Sequence, residues 1–249
     1  MRLNDLTRRG ATLVAGAVAL VLLFAAAPLH AQAGAGPHAS PLPAASPANL
    51  DSLLERASRG RIHGSADARV TIVEISDFQC PFCRQFFETT YHQLDSAYVR
   101  TGKVKLVFYA FPLPGHREAY PAAKAAMCAG VQGKFWGMHD RLFATQREWS
   151  GQDLVAPRFA GYAQALGVDM AAYRDCVDND RVAPVILNDA MQASGAGVNG
   201  TPTFIINGSK ALNGAVPFDE LKREIDAALA APAAPATPPP AATPAPPRP

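Results

Sequence analysis

The 249-residue chain lacks several features that would assign it a class directly. An excess of one charge is missing: the formal +2 equals the contribution of Arg2, Arg8 and Arg9 less Asp5, so the rest of the chain is close to neutral. Without a basic stripe or a polybasic patch, it has no electrostatic footprint of a nucleic-acid binder or of a protein held to anionic lipid. Cysteines are few, namely Cys80, Cys83, Cys128 and Cys176, too few to scaffold a chain of this length. They also cannot form an ordinary zinc site: Cys128 and Cys176 belong to no second C-x-x-C or C-x-x-H, and the nearest histidine, His92, lies nine residues beyond Cys83. No internal repeat is visible, which sets solenoids aside.

What is present begins with an amino-terminal address. Three arginines precede the apolar run Ala11–Ala27, and "HAQA" follows, with Ala31 and Ala33 placed as in a small-residue cleavage site. Residues 1–33 are expected to be a secretory signal peptide, or an N-terminal membrane anchor if uncleaved. Either one places the remainder outside the cytoplasm. Residues 34–50 are small residues and prolines, read as a flexible linker, and 231–249 hold nine of the 22 prolines and read as a disordered Pro/Ala-rich tail. One domain remains, residues 51–230, large enough to bury a core without cross-links.

Within that domain "VTIVEIS" (Val70–Ser76) reads as a strand covered on both faces, as in an α/β sheet. The residues after Cys80 place Phe82, Phe86, Phe87, Tyr91, Leu94 and Tyr98 near helical spacing, ending at Gly102. "KVKLVFYAF" (Lys103–Phe111) is a second strand. From about 114 to 196 the pattern is helical, with four or five helices and Phe135, Trp136 and Phe143 read as core. "TPTFIING" (Thr201–Gly208) reads as a strand, Asn213–Ala215 as a tight turn with room for a last strand, and Phe218–Leu229 as a closing amphipathic helix.

The chemistry concentrates in "VEISDFQCPFC". A disulfide closing so short a ring removes little unfolded-state entropy, so as a staple it would be weak. Cys80 falls where a strand yields to a helix, and Pro81 suits the first turn because its missing N–H has no helical partner there. Free backbone N–H groups and the helix dipole favour a thiolate at Cys80, with Cys83 one turn inside to resolve a mixed disulfide. Glu74 in an apolar strand should have a raised pKa if it is buried beneath the cysteines, where it would exchange the Cys83 proton; the alternative is an exposed sheet edge. Phe78 and Phe82, flanking the dithiol, are candidate substrate-docking groups. Cys128 and Cys176 are candidates for a structural disulfide, with buried free thiols or a second redox pair as alternatives. His116 and His139 receive no role.

In order, "VTIVEISDFQCPFC" resembles the start of DsbA-like proteins of the thioredoxin superfamily, and "GTPTFIING" the strand that follows a cis-proline in that superfamily. "AAMCAGVQGKFWGMHDRLF" and "LGVDMAAYRDC" resemble the helical insertion of the branch that includes Gram-positive DsbA homologues. The resemblance spans about residues 60–228. It implies an α/β, thioredoxin-like fold with an inserted helical domain, and a thiol–disulfide oxidoreductase with Cys80 as nucleophile, Cys83 as resolving cysteine and Glu74 as buried acid. It further implies a cis bond before Pro202, with Thr201 beside it offering backbone to an extended substrate. No cofactor and no metal are called for. Expected partners are unfolded or thiol-containing secreted proteins and a membrane quinone-linked redox partner, in the periplasm or another extracytoplasmic space, with the protein a monomer. Phe82 stands where the family's best-known oxidase has His, so a less oxidising couple is expected. A reductase or isomerase would use the same residues, and a chaperone-like peptide-binding module would keep the dithiol as structure only.

Overall fold

The computed structural model describes residues 47–232. The leader (1–33), most of the linker and most of the tail lie outside the described residues. A helix, α1 (Pro47–Gly60), begins inside the stretch read as linker. Leu53, Leu54 and Ala57 recur at helical spacing and pack against the core, a short amphipathic stripe that the neighbouring prolines and alanines had masked. Gly60 lets α1 approach a later helix closely, because a Cβ there would collide with the carbonyl oxygen of Gly130.

The sheet has five strands in the order β1-β3-β2-β4-β5: β1 (Ile62–His63), β2 (Val70–Ser76), β3 (Val104–Ala110), β4 (Thr203–Ile206) and β5 (Lys210–Asn213). β2 and β3 run parallel, whereas β1 on β3, β4 on β2 and β5 on β4 are antiparallel. β2 is therefore central, and Val70, Ile72, Glu74, Ile75 and Ser76 are all buried. The β4–β5 turn falls at Asn207–Gly208, with φ of 46° and 72°, not at Asn213–Ala215 as the sequence reading had it. Two successive left-handed residues are what a tight hairpin turn demands, and Asn-Gly supplies them at least cost. Asn207 also ties the hairpin turn to β2, its side-chain oxygen accepting from Thr71 N–H at 2.8 Å.

The helix that follows β2 starts as α2 (Pro81–Phe86) and runs through a π-helical turn (Phe87–Tyr91), a short α3 (His92–Leu94) and a second π-helical turn (Asp95–Val99). Phe86, Phe87, Tyr91, Leu94 and Tyr98 are buried, as their spacing requires, while Phe82 is 60% exposed; Phe78, its ring stacked 4.8 Å from that of Phe108, is buried in the core and offers no docking surface. Six helices fill the segment between β3 and β4: α4 (Ala119–Gly130), α5 (Phe135–Ala144), α6 (Gln146–Trp149), α7 (Ala156–Ala165), α8 (Met170–Asp178) and α9 (Ala183–Gly195). α10 (Phe218–Ala230) closes the fold. Cys128 on α4 is bonded to Cys176 on α8, closing a loop of 48 residues; the chain-entropy account puts the benefit of such a cross-link at about 4 kcal/mol.

α9 is bolted to the sheet by a buried ion pair. Asp189, fully buried, pairs with the Arg61 guanidinium and accepts from Ala110 N–H at 3.1 Å. Arg61 in turn donates to the Phe108 carbonyl at 3.2 Å and lies 4.7 Å from the centre of the Tyr109 ring. Since α9 leads directly into the Thr201–Pro202 loop, this anchor also places that loop. Burial raises the Asp189 carboxyl to about 6 against the opposing pull of Arg61, so desolvation makes the pair costly to form and costlier to leave half made. Asp189→Ala, which strands the Arg61 charge, should lower unfolding free energy by about 3–5 kcal/mol in denaturant titrations; a loss under 1 kcal/mol would show that Arg61 finds water instead.

Candidate functional site

The dithiol sits where β2 gives way to α2. Three residues after Ser76 turn the chain, and Cys80 becomes the N-cap of α2, in extended conformation (φ −66°, ψ 126°), with Pro81 at the first helical position. Cys80 N–H donates to the Asp77 carbonyl at 3.0 Å, and its own carbonyl accepts from Arg84 N–H at 3.2 Å. Both thiols are free; Cys80 is 3% exposed and Cys83 is completely buried.

The two sulfurs are driven in opposite directions. The Cys80 thiol falls from 9 to about 6, chiefly because the Cys83 thiol hydrogen-bonds its thiolate; burial opposes this, and the Thr201 side chain and the N–H groups of Cys83 and Phe82 add to it. Cys83 is pushed well above its ordinary value, first by burial and then by the hydrogen bond and negative charge of Cys80. Asp77 N–H, 3.5 Å from Cys83 Sγ, is a weak counterweight. The pair thus divides into an attacking thiolate and a protonated resolving thiol.

Glu74 is 1% exposed in the middle strand, so it is buried and not at a sheet edge. It lies in register with Phe108 of β3 and Phe204 of β4, beneath α2, whose Phe86 ring is 4.4 Å from that of Phe204. Burial raises its carboxyl to about 7, with the Ser76 hydroxyl opposing. Ser76 is two residues on, on the same face of β2, and its hydroxyl also acts on Cys83. Acid, hydroxyl and resolving thiol therefore form one buried group.

Opposite the dithiol, the Thr201–Pro202 bond is cis, and the Thr201 carbonyl is 3.4 Å from Cys80 Sγ. The structure therefore brings together Glu74, Cys80, Cys83, Thr201 and Pro202, with Phe82 projecting beside them. Cys128 and Cys176 bond to each other and add no thiol to the site. Among the described residues no group of three or more His, Cys, Asp or Glu could hold a metal ion.

Several supporting residues were missed. Gln146 of α6, 3% exposed, donates to the carbonyls of both Phe78 (2.7 Å) and Cys80 (2.9 Å), so the inserted helices grip the active loop. Asp77, also buried, accepts from Gln79 N–H (2.7 Å) and Leu113 N–H (2.9 Å) and meets His116 Nδ1 at 2.7 Å. Gln79 pairs with Glu118, accepting its N–H at 2.8 Å and donating to its carboxylate. "SDFQ" is polar in a way that hints at such a clamp, but the partners are remote in sequence. His139, which the sequence gives no role, is 1% exposed within a cage of aromatic rings.

The Thioredoxin family profile matches residues 56–227. A probable disulfide bond formation protein D of Bacillus anthracis is 29% identical over 171 residues, 67% of this chain and 76% of that one. The Na(+)/H(+) antiporter NhaA 1 of Salinispora arenicola is 38% identical over 153 residues, 61% of this chain but 22% of the antiporter. This chain therefore spans about a fifth of the length of such curated relatives, and among the described residues no helix is long and apolar enough to cross a membrane. The crystal structure of oxidised BdbD from Bacillus subtilis superposes with a TM-score of 0.58 at 24% identity, over 69% of this chain and 94% of that one.

The shifted groups have measurable consequences. Thiolate absorbance should titrate at Cys80 with a midpoint near pH 6, and replacing Cys83 with Ala should raise it by removing the main stabilising hydrogen bond. For Glu74 the folded carboxyl, at about 7 against 4.5 unfolded, holds its proton more tightly than the unfolded one. Stability therefore falls as pH rises through that window, and Glu74→Gln should recover about 3 kcal/mol above it while changing little below pH 4.5. Identical pH–stability curves for the two proteins would mean that the carboxyl is solvated.

Proposed function

Because this chain belongs to the thioredoxin family and has the fold of the DsbA and BdbD oxidoreductases, we propose that it is an exported thiol–disulfide oxidoreductase acting on secreted client proteins. The observation that carries the reading is the polarised dithiol: Cys80 Sγ at a helix N-terminus, facing the Thr201 carbonyl at 3.4 Å and favoured as thiolate, over a fully buried Cys83. In the oxidising direction a client thiolate attacks Cys80 Sγ of the Cys80–Cys83 disulfide, and Cys83 leaves and takes up a proton. A second client thiolate then attacks the client sulfur of the mixed disulfide and releases Cys80 as its stabilised thiolate. In the reducing direction the Cys80 thiolate attacks a client disulfide, and Cys83 loses its proton and resolves the adduct. Glu74, about half protonated at pH 7 and on the same face of β2 as Ser76, whose hydroxyl acts on both it and Cys83, is suited to hold and return that proton. An extended client segment would lie along the Thr201 backbone, with Phe82 offering apolar contact.

Direction depends on how strongly the thiolate is favoured. A Cys80 pKa of about 6 lies between the roughly 7 of a thioredoxin and the roughly 3.5 of a strongly oxidising DsbA. Thiolate stability and oxidising power rise together, so the couple belongs between those two, in keeping with Phe82 in the dipeptide. Reoxidation by a membrane quinone-linked partner, a monomeric state and a periplasmic location with or without an N-terminal anchor complete the proposal; they rest on the leader sequence and the family.

Two measurements test it. Equilibration with glutathione buffers should give the Cys80–Cys83 couple a potential between about −270 and −120 mV; a value well below that range would turn the assignment to a reductase. Cys83→Ala should accumulate mixed disulfides with client proteins through Cys80, whereas Cys80→Ala should accumulate none; a double Cys80, Cys83 to Ala variant that keeps full activity would mark a peptide-binding module instead.

A further inference from the structure

Beneath the dithiol four buried polar atoms make no hydrogen bond within the ordinary distance and angle limits to a protein atom, Glu74 Oε2, Ser76 Oγ, Trp136 Nε1 and His139 Nε2, although Ser76 lies near enough to Glu74 and Cys83 to act on both. They share one side of the sheet. Phe108, in register with Glu74, has its ring 5.5 Å from that of His139, which in turn lies 4.9 Å from Trp136 and 5.1 Å from Tyr91. The other histidine nitrogen, Nδ1, is 2.8 Å from Asp140 Oδ1, and the Asp140 side chain is 47% exposed. His139 therefore has one nitrogen in the apolar interior and one on a carboxylate that reaches solvent. Buried polar atoms in native proteins are almost always satisfied, by ordered water where protein groups do not serve.

Resting on the oxidoreductase reading above, we propose that His139 and Asp140 carry the proton between Glu74 and solvent, with ordered water joining Glu74, Ser76 and His139 Nε2. With Nδ1–H donating to Asp140, the Nε2 lone pair is free to accept. When Cys83 resolves a mixed disulfide, its S–H proton passes by way of Ser76 to the Glu74 carboxylate. The Cys83 sulfur pair forms the bond to Cys80, and the client sulfur leaves with the pair of the bond that breaks. Glu74 then gives the proton to Nε2, the ring releases its Nδ1 proton to Asp140, and Asp140 loses it to solvent. The ring is left in its other tautomer. Two client thiols reducing the Cys80–Cys83 disulfide drive the same transfers inward, so that Nδ1 is reprotonated, Nε2 delivers to Glu74, and the ring is reset.

The other titratable groups around this path are Tyr91 and His92 on the helix after Cys83, Asp95 in its last turn and His63 of β1, which is held 2.8 Å from Asp95. Burial keeps Tyr91 protonated and lowers His139, so the ring rests neutral, as a two-tautomer relay requires.

The test follows resolution of a glutathione mixed disulfide at Cys80 by rapid quench, from mildly acidic to mildly alkaline pH, in full-length wild type, Glu74→Gln, His139→Phe and Asp140→Asn. His139→Phe and Asp140→Asn should each slow resolution about tenfold at neutral pH, and the Cys80 thiolate titration should stay unchanged. Wild-type rates and pH profiles in both, with Glu74→Gln slow, would overturn the relay and leave the acid role of Glu74 intact. If His139→Phe does not fold, Asp140→Asn at its half-exposed site decides alone. A wild-type protein that performs no exchange would instead overturn the function on which the relay rests.

Discussion

The site depends on one costly burial, that of the Glu74 carboxyl in the central strand. A charged carboxylate there is cut off from bulk solvent and faces no cation, so the group retains a proton up to about pH 7. A surface acid would be ionised at that pH and could accept a proton but not hold one in reserve. The same burial fixes Cys83 as a thiol, since its sulfur, on the buried side of α2, lies in the same layer cut off from bulk solvent. Cys80, one helical turn outward, meets backbone N–H groups and the Thr201 loop and is stabilised as a thiolate. Burying Glu74 and Cys83 costs stability and makes both groups hold their protons more tightly than they would in water.

Because the dithiol gains its properties from depth, the elements that set depth matter as much as the reactive groups. The inserted helices contribute Gln146, which holds the carbonyls on either side of Gln79, and Glu118, which binds the Gln79 side chain. Asp77 fastens the same loop to the segment leading into α4 through Leu113 and His116. On the other side Arg61 and Asp189 fix α9 to β3 and so place Thr201 and Pro202. The Cys128–Cys176 bond ties α4 to α8 within the insertion, so the cap that covers the site is itself cross-linked. The thioredoxin sheet supplies the dithiol, and the insertion holds its loop in place.

Much of this arrangement can be read from the chain, because local patterns encode it. The both-faces-apolar run at Val70–Ser76, the aromatic spacing after Cys80 and the strand-to-helix position of Cys80 each reflect a periodicity or an end effect confined to a few residues. Failures arose where a partner is remote or a local rule was passed over. Asn207-Gly208 carried the stronger hairpin signal than Asn213–Ala215, and the structure follows it. α1 was hidden by its Pro/Ala-rich surroundings, and β1 is too short for any periodicity to show. Gln146, Asp77 and His139 matter only through groups far along the chain, and no sequence window contains both halves of such contacts.

Phe82 shows how a single departure from the family pattern should be weighed. Its exposed ring offers the Cys80 thiolate no hydrogen bond, yet Cys80 still titrates near 6, because Cys83, Thr201 and two backbone N–H groups supply what the dipeptide does not. Thiolate stabilisation at such a site is a sum over several donors, and most of them belong to the fold and not to the variable pair between the cysteines. Changing residue 82 can then tune the potential without abolishing the attacking thiolate, whereas loosening the α2 N-terminus would affect the Cys83 thiol and both N–H groups at once, leaving only Thr201. On that account, selection for oxidising strength can act on Pro81 and Phe82, whereas the ability to exchange disulfides at all rests with the burial of Glu74 and Cys83 and with the anchors that hold the loops in place.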